Sequence, residues 1–115
     1  MRDLTSEKKG SVVLVTIDGD IEFDDSIQIN EHLSQTIKNN SAKLVLDLER
    51  CGYIDSSGLG ALVEGLKATQ KAKGDLRLCN LSEDFKEILM MTRIIKYFQV
   101  FDSVDDAINS YAVAE

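Results

Sequence analysis

The sequence predicts an α/β fold: a mostly parallel sheet of four to five strands, with an N-terminal hairpin at one edge and about four helices. Three observations predict it. From residue 12 onward, short apolar runs alternate with longer stretches of helical character, an order that implies parallel strands joined by right-handed helical crossovers. The run Leu44, Val45, Leu46 and Leu48 is apolar almost throughout, as a strand buried on both faces requires. At 115 residues and 43% hydrophobic content, the chain is long enough for one core and too short for two, so a single domain over residues 1–115 is expected.

Leu4 to Lys8 reads as a short edge strand closed by a turn at Lys9-Gly10. Val12 to Ile17 is β-branched and apolar enough for a strand ending at Asp18-Gly19. Asp24 or Asp25 caps a first helix, whose apolar positions Ile27, Ile29, Leu33 and Ile37 follow a helical stripe only approximately, and Asn39-Asn40 stops it. After the Leu44–Leu48 strand, Leu59, Leu62, Val63 and Leu66 fall at i, i+3, i+4 and i+7, which predicts an amphipathic helix ending at Gly74. Leu76, Leu78 and Leu81 suggest the next strand, and Ser82 a cap for a helix carrying Phe85, Ile88 and Leu89. Val100-Phe101 reads as a last short strand. Ser103 then caps a terminal helix with Val104, Ala107, Ile108 and Tyr111 inward.

Charge narrows the function. A formal net charge of −7 disfavours nucleic acid, whose phosphates need a basic surface, and disfavours docking on an anionic membrane. Met1 leads into Arg2, Asp3 and Leu4 without an apolar leader, and no run has the length of a membrane span, so a cytoplasmic protein is expected with no membrane insertion. Two cysteines and one histidine make neither a disulfide framework nor a Cys/His metal set. Cys51 and Cys79 read as reduced, partly buried thiols, and as neighbours across adjacent strands. No phosphate-cradling G-x-x-x-x-G-K-[ST] loop is present, and no cofactor is expected.

The concentrated signal is Asp55-Ser56-Ser57-Gly58-Leu59-Gly60, between the Leu44–Leu48 strand and the helix after it. In a parallel sheet this is the carboxyl end of a strand, where ligands and partners are met. Two readings stand. One residue is an ordinary N-cap, satisfying the unpaired N–H groups of a helix start, and the rest are its surroundings. Alternatively the serines are displayed, since three capping oxygens exceed what one helix start requires. Gly58 and Gly60 favour close approach, either of another helix or strand of this protein or of a partner's surface, because glycine within a helix costs about 1 kcal/mol against alanine. A serine here also suits phosphorylation: a helix N-terminus tolerates an anion, and a phosphate adds about −1.5 to −2 charge with three acceptor oxygens.

The stretch VLDLERCGYIDSSGLG, Val45 to Gly60, resembles the central motif of the STAS domains, and most closely that of the anti-sigma factor antagonists of bacterial partner-switching systems. Gly19-Asp20-Ile21-Glu22 resembles the G-E-L-D turn of that family, and Gly74 to Ser82 its glycine, strand and capped helix. The resemblance implies that Ser56 is phosphorylated by a partner kinase, with Asp55, Ser57, Gly58 and Leu59 around it and Asp20 and Glu22 on a neighbouring loop, all facing the partner. It implies a regulatory protein, not an enzyme. Unphosphorylated, it binds an anti-sigma factor with serine kinase activity and frees the sigma factor; phosphorylation ends binding, and a serine phosphatase restores it. Two departures stand out. Glu22 replaces the family's aspartate, and Arg93 stands where the family commonly has glycine, so the third helix either runs on or turns differently there.

Two other classes compete. An accessory STAS subunit scaffolding a lipid or solute transporter ATPase needs no phosphorylation. A serine hydrolase would recruit His32, but Ile54 stands where the nucleophile elbow G-x-S-x-G needs its first glycine, and a solvent-facing histidine is the plainer reading. An exposed Met90 or Met91 would extend a contact surface.

Overall fold

Residue alternation along the strands decides which helix covers which face of the sheet. The computed structural model describes residues 1–112. β1 (Asp3–Lys9) and β2 (Val12–Asp18) form an antiparallel hairpin, and β2, β3 (Lys43–Arg50), β4 (Asp75–Cys79) and β5 (Val100–Phe101) are parallel neighbours in the order β1-β2-β3-β4-β5. The crossovers are α1 (Asp25–Asn39), α2 (Ser56–Lys71) and α3 (Glu83–Met91), and α4 (Val104–Ala112) follows β5. The expected sheet, hairpin edge and four helices are all present.

In β3, Leu44, Leu46 and Leu48 point to one face and pack with Ile29 and Leu33 of α1, Leu62 and Leu66 of α2, and Phe85 and Leu89 of α3. Val45 points the other way, with Val12 and Cys79, onto Ala107 and Tyr111 of α4. Burial on both faces explains why β3 is leucine- and valine-rich without polar alternation. The phenol of Tyr111 donates across the shared carbonyls of Leu44 and Asp75, each 2.7 Å away, and the Arg77 guanidinium lies 3.9 Å above its ring. Burial pushes the Tyr111 phenol well above its ordinary pKa.

Several expectations need correction. Cys51 and Cys79 are not cross-strand neighbours: Cys51 lies beyond the end of β3 in the α1–α3 core, while Cys79 pairs with Asp47 and faces α4. Both are fully buried rather than partly so. Ile27 points out of α1, 63% exposed, and Leu81 lies past the end of β4. α2 stops at Lys71, short of Gly74, and Lys73 takes the left-handed conformation (φ +66°). Gly74 is required for another reason: a Cβ there would sit 2.0 Å from the Ala42 carbonyl oxygen. At Arg93 the chain turns, since α3 ends at Met91 and Arg93 adopts φ +63°, the conformation a glycine takes without strain. A short 3₁₀ turn, Ile94–Tyr97, follows and was not visible in the apolar pattern. Among the described residues, no helix is long and apolar enough to cross a membrane.

Candidate functional site

Two loops leave the carboxyl ends of β2 and β3 and are stitched together before either enters its helix. Gly19 N–H donates to Arg50 O (2.9 Å), Ile21 N–H to Tyr53 O (2.8 Å) and Asp55 N–H to Ile21 O (3.0 Å). Asp20 adds a side-chain tie, accepting from Gly52 N–H at 3.2 Å. Ile21 and Ile54 form one isolated parallel bridge and are buried beneath the loops. The sheet is thereby prolonged by a single rung, and α2 starts directly on it.

Asp55 is the hub. Its backbone is extended, and one carboxylate oxygen accepts from Gly58 N–H (2.9 Å) and the Ser57 hydroxyl (2.7 Å), which caps α2. The other oxygen accepts from Phe23 N–H at 3.0 Å, across 32 positions of sequence. These donors hold the Asp55 carboxyl below the usual carboxylate range, the Gly58 N–H most and the Ser57 hydroxyl next. The Ser57 hydroxyl also lies 3.2 Å from Phe23 O; with one proton it serves either acceptor in turn.

Ser56, the first residue of α2, is exposed, and its hydroxyl has no hydrogen-bond partner among the described residues. One turn along the same face is Gly60, where an added Cβ would meet nothing within 4 Å. The cap duty falls on Asp55, the side-chain bonding on Ser57, and Ser56 is left over. Of the motif's three polar residues, one caps the helix and another keeps an exposed hydroxyl.

Gly58 and Leu59, which the resemblance set among the residues facing the partner, turn inward, Leu59 with the apolar stripe of its helix. Leu59 is 8% exposed and packs in the core. A Cβ at Gly58 would approach Ile21 Cγ2 to 2.6 Å and Ile54 Cγ1 to 2.7 Å, so the close approach its sequence suggested is internal. These two residues seat α2 and do not face outward. Asp20 is exposed and Glu22 half-buried on the α1 entry loop, the loop whose Ile21 and Phe23 backbone groups bond the Tyr53–Ser57 segment. Asp25 does not cap α1 with its side chain; its carboxylate accepts from Glu22 N–H and the N-terminal ammonium, both at 2.9 Å, and these lower its pKa in that order. Asp24 occupies the cap position without a side-chain cap bond.

The sequence reading missed Phe23. It is 80% exposed with a left-handed backbone (φ +56°), and both its backbone groups face the Asp55–Ser57 pair. On the α3 side, exposed Met91 and partly exposed Tyr53 share a shallow groove with Asp20, Asp84 and Glu87.

Among the described residues, neither motif serine hydrogen-bonds a histidine. His32 is partly exposed on α1, and its Nε2 bonds the Ser6 hydroxyl on β1 at the surface. Burial raises the Cys51 thiol to about 11 and the Cys79 thiol to about 12, which keeps both protonated at neutral pH.

Comparison with known proteins agrees with the fold. A STAS domain family model matches residues 3–107. A candidate anti-sigma factor antagonist of Bordetella bronchiseptica, BtrV, is 25% identical over 111 residues, 96% of each chain. The anti-sigma F factor antagonist of Paenibacillus polymyxa is 22% identical over 108 residues, 93% of this chain and 92% of that one. Structures of SpoIIAA are also similar. The anti-sigma factor antagonist in its unphosphorylated form gives a TM-score of 0.75 at 16% identity, covering 98% of this chain and 100% of the other. The Bacillus cell fate determinant in the phosphorylated form gives 0.73 at 17%, covering 95% and 99%. At such identities the structural likeness establishes the fold alone.

Proposed function

The chain belongs to the STAS domain family, and from that premise we propose that it is a phosphorylation-switched anti-sigma factor antagonist acting in the cytoplasm as one domain over residues 1–115. Unphosphorylated, it binds an anti-sigma factor with serine kinase activity, and the sigma factor is released. Phosphorylation of Ser56 ends that binding, and a serine phosphatase restores it. The observation that carries this reading is the exposed, unbonded Ser56 hydroxyl at a helix start whose cap is supplied by another residue. The names of the relatives support the role, and one of the similar solved structures is of a phosphorylated protein.

The chain is a substrate in this account, not an enzyme. Ser56 Oγ attacks the γ-phosphorus of the kinase's Mg-ATP, its proton passes to a base of the kinase, and ADP leaves. The phosphatase breaks the new P–O bond with water and returns the hydroxyl. α2 tolerates the product because the N-terminal dipole and unpaired N–H groups of a helix favour an anion. Asp20, Glu22, Asp55 and Ser57 form the surface against which the partner reads the serine. Because this surface is already acidic, the phosphate acts mainly through local bulk and the cost of desolvating a dianion at a close contact.

Incubation with Mg-ATP and a lysate of the source cells, followed by phosphosite mapping, tests the proposal. Phosphate is expected on Ser56, and Ser56→Ala is expected to hold the kinase persistently, while Ser56→Asp binds it at least about tenfold more weakly, about 1.4 kcal/mol. Tight binding by Ser56→Asp contradicts the exclusion mechanism. Recovery of a transporter ATPase with Ser56 unmodified contradicts the role itself and favours the scaffold alternative.

A further inference from the structure

Phe23 is an aromatic residue that the fold displays at some cost. It is 80% exposed, although aromatic side chains are among the strongest contributors to cores and interfaces. Its φ of +56° is uncommon for a bulky residue, and such conformations persist only where surrounding structure enforces them. The enforcement comes from the α2 start: Asp55 accepts from Phe23 N–H at 3.0 Å, and the Ser57 hydroxyl lies 3.2 Å from Phe23 O. Those are the two motif residues flanking Ser56.

A structural role for the ring does not account for this. Phe23 precedes the Asp24 cap position, where an apolar residue can staple itself to the first turn of α1, but a stapled ring would be covered. Ile27, one turn along, is likewise 63% exposed. The side chains next to Phe23 along its loop are acidic: Glu22 and Asp24 flank it in sequence, Asp55 bonds its backbone, and Asp20 lies on the same loop, while the N-terminal ammonium is already paired with Asp25.

We propose that Phe23 is the anchor of the partner contact, inserting into an apolar pocket with a basic rim on the kinase that phosphorylates Ser56. This rests on the proposed function and specifies the partner's surface. Buried aromatic anchors dominate the energetics of protein interfaces, and complementary charge around them speeds encounter. Asp55 and Ser57 thus set two features at once: the start of α2, which carries Ser56, and the pose of the anchor beside it.

The test is the initial rate of phosphate transfer to Ser56 from Mg-ATP in source-cell lysate, for wild type, Phe23→Ala, Phe23→Gly and Phe23→Trp, with unfolding midpoints measured in parallel. Phe23→Gly is the decisive variant, because glycine relieves the left-handed strain while removing the ring. It is expected to be at least as stable as wild type and about tenfold or more slower in phosphorylation. Phe23→Ala is expected to be comparably slow and Phe23→Trp close to wild type, with the wild-type rate falling as salt is raised. A folded Phe23→Gly protein phosphorylated at the wild-type rate overturns the anchor while leaving the switch intact. No phosphate on Ser56 of wild type overturns the switch, and the anchor falls with it.

Discussion

α2 and α3 begin alike and then diverge. Both follow parallel strands that lie side by side, and both are capped by a side chain three residues ahead of the N–H it receives: Asp55 for Gly58 at 2.9 Å, Ser82 for Phe85 at 3.1 Å. α3 then fills its first turn with Glu83 and Asp84, whose charges suit the helix dipole. α2 places Ser56 and Ser57 there and has no acidic residue in its first turn. At the third position α3 buries Phe85 completely, whereas α2 has Gly58 pressed against Ile21 and Ile54. One helix start is finished as a structural joint. The other leaves out available stabilisation and keeps a neutral hydroxyl where an anion would be welcome.

The contrast can be tested by breaking each start in turn. Phe85→Ala removes a fully buried ring and is expected to cost about 3–5 kcal/mol in denaturant unfolding, the largest effect of the set. Gly58→Ala forces a methyl into Ile21 and Ile54 and is expected to cost about 1–3 kcal/mol, mostly as overpacking. Exposed Gly60, in the same helix, is expected to gain roughly 0.5–1 kcal/mol on the same change. Equal effects at the two glycines would remove the distinction between an internal and an open face of α2.

A smaller effect is read in acid. The Asp55 carboxyl has a lower pKa folded than unfolded, so its contribution to stability is complete above the usual carboxylate range and is lost as pH falls through the folded value. Asp55→Asn removes that dependence, and its amide lacks the second acceptor that holds Phe23 N–H. A shallower acid limb of the stability profile is expected, shallower but not flat, because Asp25 titrates with the same sign. The smallest change is reserved for the serine itself: Ser56→Ala and Ser56→Asp are each expected to shift unfolding by no more than about 0.5 kcal/mol.

Most of the fold was legible because burial imposes its own spelling. β3 is apolar on both faces, α2 repeats its leucines at helical spacing, and Ser82 and Ser103 each cap the helix assigned to them. What escaped depended on contacts distant in sequence. Ile27 read as core because helical spacing alone does not say where the stripe ends, and Cys51 and Cys79 read as neighbours because register along β3 and β4 is set in three dimensions. Gly58 read as a point of close approach, internal or to a partner, because the sequence does not say that Ile21 lies against it. Phe23 read as nothing in particular; an isolated aromatic between Glu22 and Asp24 was the available signal, and its left-handed backbone and tie to Asp55 exist only in the folded chain.

The account turns on α2 accepting a phosphate that its fold scarcely registers. The most direct measurement is amide hydrogen exchange across residues 21–27 and 55–62, comparing unmodified protein with protein carrying phosphoserine introduced at position 56 during synthesis. Protection is expected to be unchanged or increased at the first turn of α2, with the same global unfolding free energy within about 0.5 kcal/mol. Loss of protection there would mean that the phosphate melts the helix start, and a switch read on an intact surface would be contradicted.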